Sequence, residues 1–149
     1  MFRIPITVVR TVPAAEDDGC AWRERATIES GGVLRRFIEI PQGATWADLT
    51  LRRLDEETDR RVVLHMMQHL DERAYDDHMV RQYLWFEDSS EELRSMAVEG
   101  GGTLEVTIAH YWSVPGPADY EIAVQFHGIQ PSASSVVLPG GDPVAMLHV

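Results

Sequence analysis

The chain has 149 residues, 44% of them hydrophobic and 25% charged, proportions of an ordinary globular fold with room for one two-layer core. Its 13 basic residues are all arginine and stand against 24 acidic ones, for a net charge of −11. That balance argues against nucleic acid, whose binding needs a cationic surface to displace counterions, and against an anionic membrane.

Phe2, Ile4, Ile6 and Val8 alternate with polar or imino residues, which predicts a strand at the very start, with Pro5 marking an edge. Residues 1–13 read as a lead-in strand, open to assignment to a preceding domain, and 14–149 as the sandwich domain. Pro13 to Gly19 is a loop, and Trp22 to Glu29 a short strand turned by Gly31-Gly32. Val33 to Ile40 and Trp46 to Leu54 follow as strands around Pro41-Gln42-Gly43. Proline has no N–H for a ladder and glycine accepts a positive φ, so this pair reads as a hairpin with Ile38, Ile40, Leu49 and Leu51 inward.

Val62, Leu64 and Met66 alternate with Val63, His65 and Met67, another strand. Asp71 to Asp77 is a charged loop with room for a helical turn. Tyr83 to Phe86 and Leu93 to Val98 are short strands around the acidic loop Glu87 to Glu92. After Gly100-Gly101-Gly102, the strand with Leu104, Val106, Ile108 and Trp112 on one face is the clearest in the chain. Tyr120, Ile122, Val124 and Phe126 repeat the pattern as its expected hairpin partner across Val114-Pro115-Gly116-Pro117. Val136-Val137-Leu138 and Val144 to Val149 are the last expected strands. Many short strands between turn signals predict an all-β fold, an antiparallel sandwich or jelly roll. Both ends are apolar, so the chain reads as cut from a longer polypeptide and prone to self-association through open strand edges.

Candidate chemistry is sparse. Cys20 is the only cysteine and forms no internal disulfide; it reads as an inert thiol. His65 and His69 have helical metal spacing with Asp71 close by, but on a strand positions i and i+4 lie ~13 Å apart, too far for one ion. The acidic loops 55–59, 71–77 and 87–92 carry the carboxylates calcium prefers, without an EF-hand spacing, and read as solvated turns. There is no G-x-S-x-G elbow, Walker phosphate loop or H-E-x-x-H motif. No catalytic residue, cofactor or metal is therefore expected. His110, Tyr111 and Trp112 form a polar-aromatic cluster beside a loop, readable as a stacking platform for a sugar or as half-buried sheet aromatics. His127 alternates with Phe126 and should face away from the core. These four residues are the candidate ligand or interface positions. With no strongly apolar run of roughly 18 residues and no charged-then-apolar leader, the reading is cytoplasmic.

Phe2-Arg3-Ile4-Pro5-Ile6-Thr7, Phe37-Ile38-Glu39-Ile40-Pro41-Gln42-Gly43-Ala44-Thr45-Trp46-Ala47, Val63-Leu64-His65, Gln68, Arg73-Ala74-Tyr75, His78, Ala109-His110-Tyr111-Trp112 and Phe126-His127-Gly128-Ile129 together resemble the middle region of the tripeptidyl peptidase II family. Order and spacing agree to about Ile129; the tail matches weakly. The resemblance implies a galactose-binding-like jelly roll within a large cytosolic serine exopeptidase that removes tripeptides from free N-termini. It also implies a subtilisin-like domain upstream, a helical part downstream, and assembly into large oligomers. Its catalytic Asp, His, Asn and Ser have no counterparts here. His110, where relatives are expected to carry arginine, and the acidic Glu16-Asp17-Asp18 are departures. The implied role is a structural, domain-positioning or assembly module whose partners are other domains or subunits of a peptidase. The alternative is an independent jelly roll that binds carbohydrate.

Overall fold

The computed structural model describes residues 3, 8–15, 19–55, 60–70, 78–86 and 90–128. Within them run β1 (Val12–Pro13), β2 (Ala21–Ile28), β3 (Val33–Glu39), β4 (Ala44–Arg53), β5 (Arg60–His69), β6 (Met79–Phe86), β7 (Glu91–Ala97), β8 (Thr103–His110) and β9 (Ala118–Gly128). They form a five-stranded sheet ordered β1-β3-β8-β5-β6 and a four-stranded sheet ordered β2-β9-β4-β7. Every pairing is antiparallel except the short one of β1 with β3. This is the expected antiparallel jelly-roll sandwich. The expected strands at residues 2–8, 136–138 and 144–149, and the loop 71–77, lie wholly or mostly outside the described residues.

The alternation seen in the sequence becomes burial. In β5, Arg60, Val62, Leu64, Met66 and Gln68 point inward, and in β9 Ala118, Tyr120, Ile122, Val124 and Phe126 do the same. Leu104, Val106, Ile108, Ile122, Val124 and Phe126 all lie in the central cluster, with Ile38, Ile40, Leu49 and Leu51. Gln68 enters the core with its partners. The Gln68 amide donates to the Glu99 carbonyl at 2.6 Å and accepts from the Glu99 N–H at 2.8 Å, which offsets the cost of burying it. One open side of the sandwich is clasped by Arg36 of β3 and Glu24 of β2, with Nε to Oε2 at 2.7 Å. Across the other, the Arg94 guanidinium of β7 donates to the Gln82 side chain of β6.

Two expected hairpins are corrected. β3 pairs with β8, not β4, and β9 pairs with β2 and β4, not β8. In both cases the turn carries the chain from one sheet to the other, so consecutive strands face each other across the core. Among the described strands, β5 and β6 are the consecutive pair that share a sheet. Period-two alternation gives the same apolar face in either arrangement, so it names the face and not the hydrogen-bonded neighbour. The geometry at Pro41-Gln42-Gly43 shows what permits the crossing. Gly43 takes φ +80°, and a Cβ on Gly100 would stand 2.6 Å from the Gly43 nitrogen and 2.7 Å from the Pro41 carbonyl. Two loops thus touch backbone to backbone, a contact glycine allows and a side chain would block.

Other boundaries also differ from expectation. β6 starts at Met79, ahead of Tyr83, β4 starts at Ala44, ahead of Trp46, and β7 starts at Glu91, ahead of Leu93. A register shift between Ala44 and Trp46 turns Trp46 outward before Ala47, Leu49 and Leu51 resume the core face. Trp112, expected on the inner face with Leu104, lies past the end of β8 and is 76% exposed.

Candidate functional site

The four candidate residues fall in three places. His110 ends β8 facing inward, 2% exposed. Its Nδ1 lies 3.2 Å from the Ile28 carbonyl, and its ring meets the Tyr120 ring edge-on at 6.3 Å. Burial, assisted by the Asp55 charge and opposed by Arg60 and Arg53, pushes the Tyr120 phenol up to about 12; it stays protonated at neutral pH. His110 is therefore a core residue and not part of a surface cluster with its two neighbours.

Tyr111 and Trp112 emerge on the outside of the five-stranded sheet with rings stacked at 6.2 Å and 26°. Their loop is held at several points. The Tyr111 N–H donates to the Arg61 carbonyl at 2.9 Å, and the Ser30 hydroxyl donates to the Trp112 carbonyl at 3.2 Å. Sequence reasoning missed the anchor beneath them. The buried guanidinium of Arg60 donates to the carbonyls of Pro115 and Pro117, each at 3.0 Å, and to the Asp55 carboxylate at 3.2 Å. An arginine at an inward phase of an otherwise apolar strand is the signal that could have shown it.

His127 lies at the far end of β9 from Tyr120, on the outer face of the four-stranded sheet. Its Nε2 is 3.0 Å from Oδ2 of Asp48. The other carboxylate oxygen of Asp48 accepts from the Trp46 indole at 3.0 Å and from the Ser95 hydroxyl at 2.5 Å. His65 and His69 both sit on the outer face of β5, as the strand reading requires. His69 Nε2 lies 2.9 Å from Glu105, whose carboxylate also accepts from Arg35 at 2.7 and 2.8 Å and from the Thr107 hydroxyl at 3.2 Å. Burial works against the charge of Glu105, but hydrogen bonds from Arg35 and His69 and the charge of Arg35 outweigh it, so the carboxyl sits below its usual range. Among the described residues no group of three or more His, Cys, Asp and Glu converges on a metal position; Asp71 lies outside them.

The outer faces of the two sheets differ in chemistry. Strand register lays Trp85 beside Arg61, and Arg61 beside Tyr111. The next row is Tyr83, Val63, Ala109 and Val33. Tyr83 and Trp85 are 50% and 52% exposed and stack at 6.3 Å. Arg61, Val62, Tyr83, Leu84, Trp85 and Tyr111 line a shallow cleft of about 280 Å³. Tyr83 and Trp85 lie outside the four candidate positions, although their out-of-phase spacing with inward Leu84 and Phe86 marks them as outward aromatics. The four-stranded sheet instead presents Glu91, Arg52, Glu121 and Arg25 in one row and Ser95, Asp48 and Gln125 in another. Arg25 and Glu121 are joined at 2.8 Å. Those rows are charged and polar, and the exposed Trp46 and Leu93 lie on the same face.

Fold and faces together define a galactose-binding-like β-sandwich with an aromatic and aliphatic patch on one outer face. The family model "TPPII, galactose-binding domain-like" matches residues 28–116, and the chain belongs to this tripeptidyl peptidase II family. Tripeptidyl-peptidase 2 of Oryza sativa subsp. japonica is 32% identical over 95% of this chain, and that of Caenorhabditis elegans is 30% identical over 94%. The crystal structure of tripeptidyl peptidase 2 superposes with a TM-score of 0.75 and 25% identity over 89% of this chain and 12% of that one. The chain spans about 11% of the rice relative's length.

Proposed function

We propose that this chain is a non-catalytic module of a longer, subtilisin-type serine exopeptidase, in which it positions the catalytic domain or mediates assembly. The observation that carries this reading is the contrast between the two outer faces. At one end of the five-stranded sheet Val33, Val63, Ala109, Tyr83, Trp85 and Tyr111 gather around Arg61, ahead of a polar row of Arg35, Thr107, His65 and Arg81, while charged and polar pairs predominate on the other sheet, where Trp46 and Leu93 are the exposed large apolar side chains. Contiguous apolar surface of this kind marks a contact with protein. The partners are other domains or subunits of the peptidase. The face and the open strand edges also promote self-association of the chain by itself, which the net charge of −11 opposes. A single free thiol, Cys20, fits a reducing cytoplasm.

The test has two arms. The chain alone, incubated with tripeptide-releasing fluorogenic substrates, is expected to give only background hydrolysis; turnover abolished by a serine-directed inhibitor overturns the non-catalytic reading. Exchanged for the matching segment of the rice relative, it is expected to support peptidase activity, and Val63→Glu is expected to remove that activity while Thr50→Glu on the opposite face leaves it intact. Equal tolerance of both substitutions overturns the positioning reading. A second reading, a carbohydrate-binding jelly roll, is favoured by the exposed Trp112 stacked on the half-buried Tyr111. It requires indole fluorescence to change on titration with saccharides and to stop changing in Trp112→Ala.

A further inference from the structure

A sheet edge offers unpaired N–H and C=O groups to any passing strand, and proteins guard such edges with charge, proline or brevity. Among the described residues the sheets end on β1, β6, β2 and β7. β1 is two residues long and contains Pro13. β2 carries Arg23, Glu24 and Arg25 at its middle. β7 opens with Glu91-Glu92 and adds Arg94. β6 departs from this pattern. Across Met79–Phe86 the single charged residue is Arg81, and Tyr83 and Trp85 stand half exposed.

We propose that β6 pairs antiparallel with β6 of a second copy of this chain, in the register that sets Tyr83 opposite the partner's Tyr83. The inference rests on the self-association reading above and names its edge and its register. Arg81, Tyr83 and Trp85 share the outer face, since the side chains of Leu84 and Phe86 are buried on the other. Antiparallel pairing centred on Tyr83 makes the strand self-complementary. Each Arg81 lies opposite the partner's Trp85, guanidinium against indole, and the two tyrosines meet at the twofold axis. Cross-strand aromatic pairs and cation–π pairs both stabilise such a ladder. Gln82 falls opposite the partner's Leu84, and Val80 opposite the partner's Phe86, so no like charges meet. Centring on Arg81 would instead press two arginines together. The pairing is isologous and closes as a dimer, with β6 ceasing to be an edge in either copy.

Sedimentation velocity on the 149-residue chain at low and high salt tests the proposal. A dimer is expected, tighter at high salt because screening weakens the repulsion between two copies of net charge −11. Trp85→Arg sets arginine against arginine and is expected to weaken the dimer at least about tenfold, by removing two cation–π pairs and adding two like-charge pairs. Arg81→Glu combined with Trp85→Arg swaps the partners, makes an ion pair in this register alone, and is expected to restore dimerisation. Leu93→Arg, an equally exposed position on the other sheet, is expected to change nothing. A monomer under both salt conditions overturns this proposal and the self-association reading together. A dimer indifferent to Trp85→Arg, or not restored by the charge swap, overturns the β6 register and leaves self-association standing.

Discussion

Arg60 reaches across one end of the sandwich and donates to the carbonyl of Pro117 at 3.0 Å from a position only 3% exposed. The same guanidinium holds Pro115 and Asp55, so one side chain ties the start of β5 to the loop that precedes β9 and to the turn after β4. A buried cation with this many acceptors is a structural pin, and its removal leaves carbonyls and a carboxylate without their donor.

Arg60→Met keeps an unbranched apolar stem and deletes the donors. The expected loss is about 3 kcal/mol, set by the desolvated partners left behind. Urea unfolding measures it. Acrylamide quenching of indole fluorescence should also rise, because the loop bearing Trp112 loses its anchor. A variant within ~0.5 kcal/mol of the parent would show that Arg60 is dispensable.

Val106 is 2% exposed and packs in the central cluster. Val106→Asp places a carboxylate there without a partner, at an expected cost of roughly 3–5 kcal/mol. Thermal melts followed by circular dichroism check this, and an unchanged melting temperature would mean that the inner face has been assigned to the wrong residues.

Glu105 supplies the pH dependence. Its folded carboxyl lies below the ordinary glutamate value of about 4.5, so the unfolded chain takes up this proton first as pH falls. The group therefore contributes stability that is present in full above the unfolded value and is lost as pH falls through the folded one. Unfolding midpoints between pH 7 and pH 3 should fall, and Glu105→Gln should flatten that fall. An identical slope in the variant would remove Glu105 as its source. Arg35 is half exposed, so solvent screens its share of the effect.

Much of this protein was legible in the residues. Alternation in 62–66, 104–108 and 120–126 named the inward side chains, because a pleated strand sends successive side chains to opposite faces whatever lies beside it. The same rule placed His127 outward and kept His65 and His69 on one strand face. The quoted segments from Phe37 to Gly128 named the family.

Partnership between strands was decided only in three dimensions. Pro41-Gln42-Gly43 and Val114-Pro115-Gly116-Pro117 signal reversals, but a reversal that stays in a sheet and one that crosses to the other need the same turn residues; only the strand pairing distinguishes them. Adjacency in sequence likewise suggested that His110, Tyr111 and Trp112 act together. The end of β8 separates them, sending His110 into the core and its neighbours to the surface. The apolar patch on the outer face is assembled from β3, β5, β6 and β8, whose residues run from Val33 to Ala109. Local pattern sets which way a side chain points, while the neighbours it meets are set by long-range hydrogen-bond register, and that register is a property of the whole sandwich.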